Sequence, residues 1–450
     1  MTVENNRRAL LTVFVIVFVD LLGFGILIPV IPLYARALGA TEFVGSLLIA
    51  SYSAMQFLAA PLLGRLSDER GRRPVLLLSL TGSVVAWTLF GVADLVAVGP
   101  LSVLAILFAA RLLAGAMGGN IAAAQAYIAD VTPPEKRAKG LGLLGAAFGL
   151  GFVFGPALGG IVSSEPVIAA VRTVTPAIVP VSEFTLPSFA AAIITAVNLV
   201  AAVVFLPESR SASERAAARR DETGAGRSRI GPLVDALRTP GLSVLVVAFF
   251  VASFAFSAME SQFIFFTNDL FDYGTAENAY LLTYLGIVVA LVQGRLIGPL
   301  SDRFGEYRLA IVGSAIQVVT LAFVPFAPSF AWLIPDVGSP MLGLPVVPPG
   351  AVVLVADLTA LAVGNALTNV SLNTLVSKSA SDETQGGAFG LTQSAGSLAR
   401  TFGPAVAGGL YTVVGFWAPF VLGGLSFLPV LALLGRLDRD TVQRVTSTRG

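Results

Sequence analysis

Asp20 stands near the middle of the first long apolar run of this chain, in Val17-Phe18-Val19-Asp20-Leu21-Leu22-Gly23. An ionised carboxylate at such a depth costs roughly 2.5–3.5 kcal/mol on insertion scales, so the side chain must face a cavity or a partner. Desolvation favours its neutral form, which suits it to load and release a proton; a fixed hydrogen bond between helices is the other use of such a group. The chain has no histidine, so a carboxylate must carry any coupled proton.

Other polar residues fall on stripes in apolar surroundings. Glu260 lies in the seventh apolar run, with Ser253 and Ser257 at i−7 and i−3 on the same helical face. It reads as a second proton site, a selector for cationic substrates, or a structural acid. Gln262 faces about 200° away and cannot share that wall. Arg111, in the fourth run, is the expected cationic counterpart of these acids, with Gln125 nearly on its stripe and Asn120 on the opposite face. Asn365, Asn369 and Asn373 recur every four residues in the tenth run, with Asp357 further outward; their amides could contact substrate or join neighbouring helices. Arg295 and Arg400 read as interface or packing residues. The expected proton-coupling set is therefore Asp20, Glu260 and Arg111, and the expected cavity set is Phe24, Gln125, Ser253, Ser257, Asn365 and Asn369.

Positioning these groups requires lipid. The chain is 55% hydrophobic and 12% charged, with a mean hydropathy of +0.84, more apolar surface than a water-facing fold of 450 residues could bury. A net charge of +1 spread over short loops offers nucleic acid no surface. The absence of Cys and His excludes disulfides and thiolate or imidazole metal sites. No phosphate-binding glycine loop appears, and no nucleophile, base and orienting group stand together, so neither an ATP engine nor an enzyme is indicated, and no cofactor or metal is expected.

Runs of about 20 apolar residues, enough to cross roughly 30 Å of hydrocarbon as helix, begin near residues 9, 43, 75, 101, 139, 186, 242, 276, 308, 350, 386 and 415. Arg7 and Arg8 lead straight into the first, which reads as a retained anchor. Arg and Lys collect on one side, in the loops around Arg70 and Lys136, the segment 207–240 and the tail, which places both termini in the cytoplasm. Residues 164–185 and 335–349, interrupted by prolines, read as loops on the opposite side. The expected architecture is all-α and integral to the membrane: a six-helix bundle over 1–206, a solvated linker over 207–240 with no binding site, a second bundle over 241–436, and a tail over 437–450.

Repetition supports two halves. Gly64-Arg65-Leu66-Ser67-Asp68-Glu69-Arg70-Gly71-Arg72-Arg73-Pro74 has a worn copy in Gly298-Pro299-Leu300-Ser301-Asp302-Arg303-Phe304-Gly305, and Gly155-Pro156 recurs as Gly403-Pro404. A period near 240 residues is too long for a solenoid and fits two pseudo-symmetric bundles. In the first copy Gly64 and Gly71 permit a tight connection, Asp68 can sit against a helix N-terminus, and Arg72 can pair with an acid, for which Asp130 is the choice. Gly142, Gly151, Gly155 and Gly159, with Pro156, suit close helix approach.

These segments resemble the major facilitator superfamily. Gly64 to Arg73 matches its loop signature between the second and third spans, Leu107-x3-Arg111-x3-Gly115 is similar to its fourth-helix signature, and Gly142-x8-Gly151-x3-Gly155-Pro156-x2-Gly159-Gly160 matches the fifth-helix pattern of its drug:proton antiporters. Asp20 matches an acid in the first helix of tetracycline exporters. The resemblance implies alternating access by two rocking halves, a conformational latch formed by Gly64, Asp68, Gly71, Arg72, Asp130 and Asp302, and proton-coupled export of small amphipathic or hydrophobic compounds by a monomer in the cell membrane. A metabolite importer shares the fold, and a membrane sensor with a transporter fold is a further alternative. The third span, Ser79 to Trp87, lacks the acid that tetracycline exporters carry there, which argues against tetracycline itself.

Overall fold

A computed structural model describes residues 3–133, 137–211, 213, 240–334, 348–379 and 385–436. They group into two compact units, Met1–Gly226 with Gly274–Thr283, and Arg227–Tyr273 with Tyr284–Gly450. Among the described residues eleven helices are long and apolar enough to cross a membrane. A further helix of 29 residues, Gln385–Val413, lies at the eleventh expected position. Most of the expected linker, residues 335–347 of the second expected loop, and the tail from 437 lie outside the described residues.

The first unit opens with α1 (Val3–Leu27) and α2 (Val30–Ala37), one span interrupted before Pro29. It continues with α3 (Glu42–Arg70), α4 (Arg72–Gly91), a short α5 (Ala93–Val96), α6 (Pro100–Gly118), α7 (Ile121–Val131), α8 (Arg137–Val162), α9 (Glu165–Val174) and α10 (Thr185–Phe205). The proline-interrupted segment 164–185 thus holds a ten-residue helix, far too short to span a bilayer. α6 and α7 form the fourth span. The bonds at their junction tighten to i→i−3, from Gly119 to Ala116 and from Asn120 to Met117.

The second half of the chain runs through α11 (Pro240–Phe271), α12 (Thr275–Leu291), a π-helical turn (Val292–Leu296) that carries Arg295, and α13 (Ile297–Phe304). Next come α14 (Glu306–Phe323) and a 3-10 segment (Val324–Leu333). α15 (Pro349–Ser379), α16 (Gln385–Val413), α17 (Ala418–Leu425) and α18 (Phe427–Arg436) complete it.

Packing repeats between the units. In the first, α1 packs on α8, α4 on α10 and on α6; in the second, α11 packs on α16, α14 on α17 and on α15. The two loop copies also repeat. α3 passes to α4 through the single residue Gly71 (φ 106°), and α13 passes to α14 through Gly305 (φ 78°). Both occupy the positive-φ region that only glycine enters without strain. Large apolar side chains such as Leu62, Ile193 and Val319 stay exposed on the spans, as expected where lipid is the solvent.

Candidate functional site

Asp20 meets neutral partners. Asn120 Nδ2 donates to Asp20 Oδ2 at 3.2 Å, and the Ser83 hydroxyl of α4 lies near the carboxylate. Asn120 reaches it because the α6–α7 junction turns that residue towards α1, on the face opposite Arg111. Arg111 is therefore not the counterpart of Asp20 in the first unit. Its guanidinium, 1% exposed, donates from Nε to the Leu48 carbonyl at 3.4 Å. It lies 4.7 Å from the Tyr52 ring centre and 5.7 Å from that of Phe24, and Nη1 has no hydrogen-bond partner among the described residues. Phe24 itself packs on Tyr52 at 4.7 Å and edge-on to Phe152 at 6.2 Å. Gln125 is half-buried on α7.

The glycine run of the fifth span packs on the first. A Cβ at Gly25 would come within 2.8 Å of the Gly151 carbonyl and 2.9 Å of Gly155 Cα, and one at Gly159 within 2.6 Å of the Ile26 carbonyl. Pro156 Cδ touches the same place on α1, 3.3 Å from that Gly25 position. Gly142 does not share this packing: a Cβ there would meet open space.

A charged cluster closes one end of the first unit. Arg72, 4% exposed, pairs through Nη1 with Asp68 Oδ1 at 2.7 Å and through Nε with Asp130 Oδ2 at 3.1 Å, and donates to Ser67 Oγ at 2.7 Å. Two expectations need correction here. Gly64 lies inside α3, two turns before the connection, where a Cβ would meet only Ala122 at 4.0 Å; the tight turn is Gly71 alone. The anion at the N-terminus of α4 is Glu208, not Asp68. Its carboxylate accepts from Arg72 N at 2.9 Å and Arg73 N at 3.2 Å, satisfying donors that a helix start leaves over. Asp68 stands on the last turn of α3 and takes Arg210 as a second partner at 3.5 Å.

The start of the linker is thus bound into the cluster. Ser209 Oγ donates to Asp130 Oδ2 at 3.0 Å, Arg210 Nη1 to the Asp68 carbonyl at 3.0 Å, and Tyr127 Oη to the Pro207 carbonyl at 3.0 Å. The missed signal is an acid directly after Pro207, where the sixth span ends on the same side as the Arg72 helix start.

In the second unit the copy is weaker. Asp302 is exposed and makes no ion pair among the described residues; the ion pair is Lys378 Nζ to Glu306 Oε1, 2.7 Å, between the end of α15 and the start of α14. Glu260 lies on α11, within electrostatic reach of Arg400 on α16, and Arg400 Nη2 donates to Ser397 Oγ at 3.4 Å. Ser257 is buried against that helix, its Cβ 3.3 Å from where a Gly403 Cβ would stand, and Ser253 is half-buried one turn earlier. The asparagines of α15 bond along their own helix: Asn369 Nδ2 donates to both oxygens of Asn365, and Asn373 Nδ2 to the Asn369 carbonyl at 2.9 Å. The bond between α14 and α15 comes instead from Gln317 Nε2 to Thr368 Oγ1 at 2.9 Å.

Comparisons with known proteins agree on the family. The tetracycline resistance protein class C of Escherichia coli is 28% identical, covering 99% of this chain and all of its own length. The class G protein of Vibrio anguillarum is 30% identical over 96% of this chain and 98% of its own. The crystal structure of the human organic anion transporter MFSD10 superposes with a TM-score of 0.60 at 25% identity, covering 95% of this chain and 99% of that one. The Major Facilitator Superfamily profile matches residues 13–359, more than half of the sequence. With two units that repeat the same helix pairings, the loop signature between the second and third spans and relatives of matching length, this multi-pass membrane chain belongs to the Major Facilitator Superfamily.

Proposed function

We propose that the chain is a secondary active exporter of small amphipathic or hydrophobic compounds, acting as a monomer in the cell membrane and driven by protons that Asp20 binds and releases. One observation carries the coupling assignment. Asp20 is held by the Asn120 amide, with the Ser83 hydroxyl near it and no ion pair to it among the described residues. The Asn120 amide nitrogen donates to a carboxyl oxygen in either protonation state, and a serine hydroxyl can donate to the carboxylate or accept from the carboxylic acid, so no fixed charge opposes protonation. An arginine partner would hold the group ionised.

Access alternates between the two faces of the membrane as the two bundles move, and the Arg72 cluster acts as a latch in that cycle. Glu260, within electrostatic reach of Arg400, is the second candidate for a proton or for a cationic substrate. Export is favoured by the glycine run of α8 against α1 and by relatives named for tetracycline resistance. The basic loops favour an orientation with both termini in the cytoplasm.

A second reading concerns substrate charge. Arg111 keeps an unpartnered Nη1 between two aromatic rings, and a relative of matching length is named an organic anion transporter, so an anionic aromatic compound is the alternative substrate class. The test is efflux from proteoliposomes under an imposed proton gradient, with tetracycline, ethidium and fluorescein as probes. Asp20→Asn and Glu260→Gln are run beside the wild type. Intact gradient-driven efflux in both variants overturns the coupling assignment, and efflux of fluorescein without ethidium selects the anion reading.

A further inference from the structure

A groove of about 450 Å³ lies between α4 and α10, towards the end of the first unit opposite the Arg72 cluster. Val84 and Thr88 of α4 form one wall, and Leu186, Phe189, Ile193 and Ala196 of α10 the other. The end of α9 and the chain after it complete the lining with Val171, Thr175, Val179 and Val181. The Thr175 hydroxyl donates to the Val171 carbonyl at 2.8 Å, so this polar group is satisfied without a ligand.

The groove opens sideways onto lipid-facing surface. Ile193 is exposed, and the exposed Val197, Val200 and Val204 continue its stripe along α10 at i+4, i+7 and i+11. Its depth also fits a bilayer. From Leu186 to Ala196 the wall runs about 15 Å along α10, half of the roughly 30 Å of hydrocarbon and so the depth of one leaflet.

A cation marks the rim. Arg172 follows the lining residue Val171, and its Nε donates to the carbonyl of another, Val181, at 3.0 Å. That bond holds the exposed guanidinium beside the groove, and its two Nη groups have neither a hydrogen bond nor an ion pair among the described residues. Arg36, also expected on this side, is instead paired with Glu42 at 2.8 Å. Exposed Val174 and Ile178 flank Arg172, and such a mixture of apolar and cationic side chains settles at the level of lipid headgroups.

We infer that the groove binds a membrane phospholipid, with one acyl chain between α4 and α10 and the phosphate on the two Nη groups of Arg172. A guanidinium offers a phosphate two parallel N–H donors, and the end-on pair is the one that the Val181 bond leaves available. The walls supply apolar contact over a leaflet's depth, and the rim supplies the one charge that the headgroup of every phospholipid can meet.

The site requires neither proton coupling nor export, so its test is separate from theirs. Full-length protein stripped of lipid in a mild detergent is titrated with palmitoyl-oleoyl phosphatidylglycerol, and bound lipid is counted by native mass spectrometry. The control is palmitoyl-oleoyl glycerol, which has the same chains and no phosphate. The first phosphatidylglycerol should bind about tenfold more tightly than the control, the equivalent of one hydrogen bond to a charged group. Arg172→Gln should abolish that ratio. Ala196→Phe, which fills the groove from α10, should weaken both lipids about tenfold, and glycerol phosphate without chains should not bind at the same concentrations. Equal binding of the two lipids by the wild type overturns the inference, and this comparison needs no variant to fold. A ratio that survives Arg172→Gln, or lipid binding unchanged in Ala196→Phe, places the lipid elsewhere and also overturns it.

Discussion

Asp20 meets neutral groups, the Asn120 amide and the nearby Ser83 hydroxyl, whereas the buried Arg72 is ion-paired with both Asp68 and Asp130. The same distinction sets what each substitution should do. Asp20→Asn removes the titration and should leave folding intact while ending gradient-driven efflux. Glu208→Gln keeps the shape but weakens the anion on two helix-start donors, a loss of about 1 kcal/mol. A thermal melt in detergent should record it as a fall of roughly 2–4 °C, and an unchanged midpoint would show that the contact is idle. Asp20 was legible because a carboxylate interrupts an apolar run. Its partner was not, because the choice between Arg111 and Asn120 depends on which face of the fourth span meets the first, and only packing decides that. Glu208 was missed for the same reason: it acts across 136 residues of sequence to reach Arg72.

Helices in lipid gain little from hiding apolar surface, so they are held by close approach and a few polar bonds. Gly151, Gly155 and Gly159 bring α8 against α1 with no room for a side chain, and Gly142 has no such duty. Gly155→Val should therefore destabilise by at least about 1–3 kcal/mol, as overpacking does. Gly142→Ala should be neutral or stabilising by up to about 1 kcal/mol, since it meets open space in a helix. Paired melts check both, and equal losses would refute the packing account. Gly71→Ala should cost about 1–3 kcal/mol, because its φ of 106° excludes a side chain and the added methyl would run into the Glu208 carboxylate. The spans themselves were legible from hydropathy alone, and the glycine spacing marked the right helix. The role of Gly64 was misread because a signature written as a loop extends two turns into α3.

At the scale of the molecule, repetition was the strongest signal. Two worn copies of one loop predicted two units, and each unit shows the same helix pairings and the same one-glycine connection. If one net charge moves inward per cycle, each 100 mV supplies about 2.3 kcal/mol, enough for roughly a fiftyfold substrate gradient. Potassium-diffusion potentials across proteoliposomes test this: efflux that ignores voltage would mean a charge-neutral exchange of proton for cation.

The position of Glu208 also bears on how the protein is made. The first unit's charged cluster begins in the chain at Ser67 and is completed only by residues 207–210, after the sixth span. A ribosome therefore releases five spans before the carboxylate that caps the third has been synthesised, so the early loop waits open and basic until then. Half-length chains ending at residue 205 should be cleared by quality-control proteases faster than chains ending at 213. Eight residues beyond the sixth span would then decide whether the bundle survives insertion.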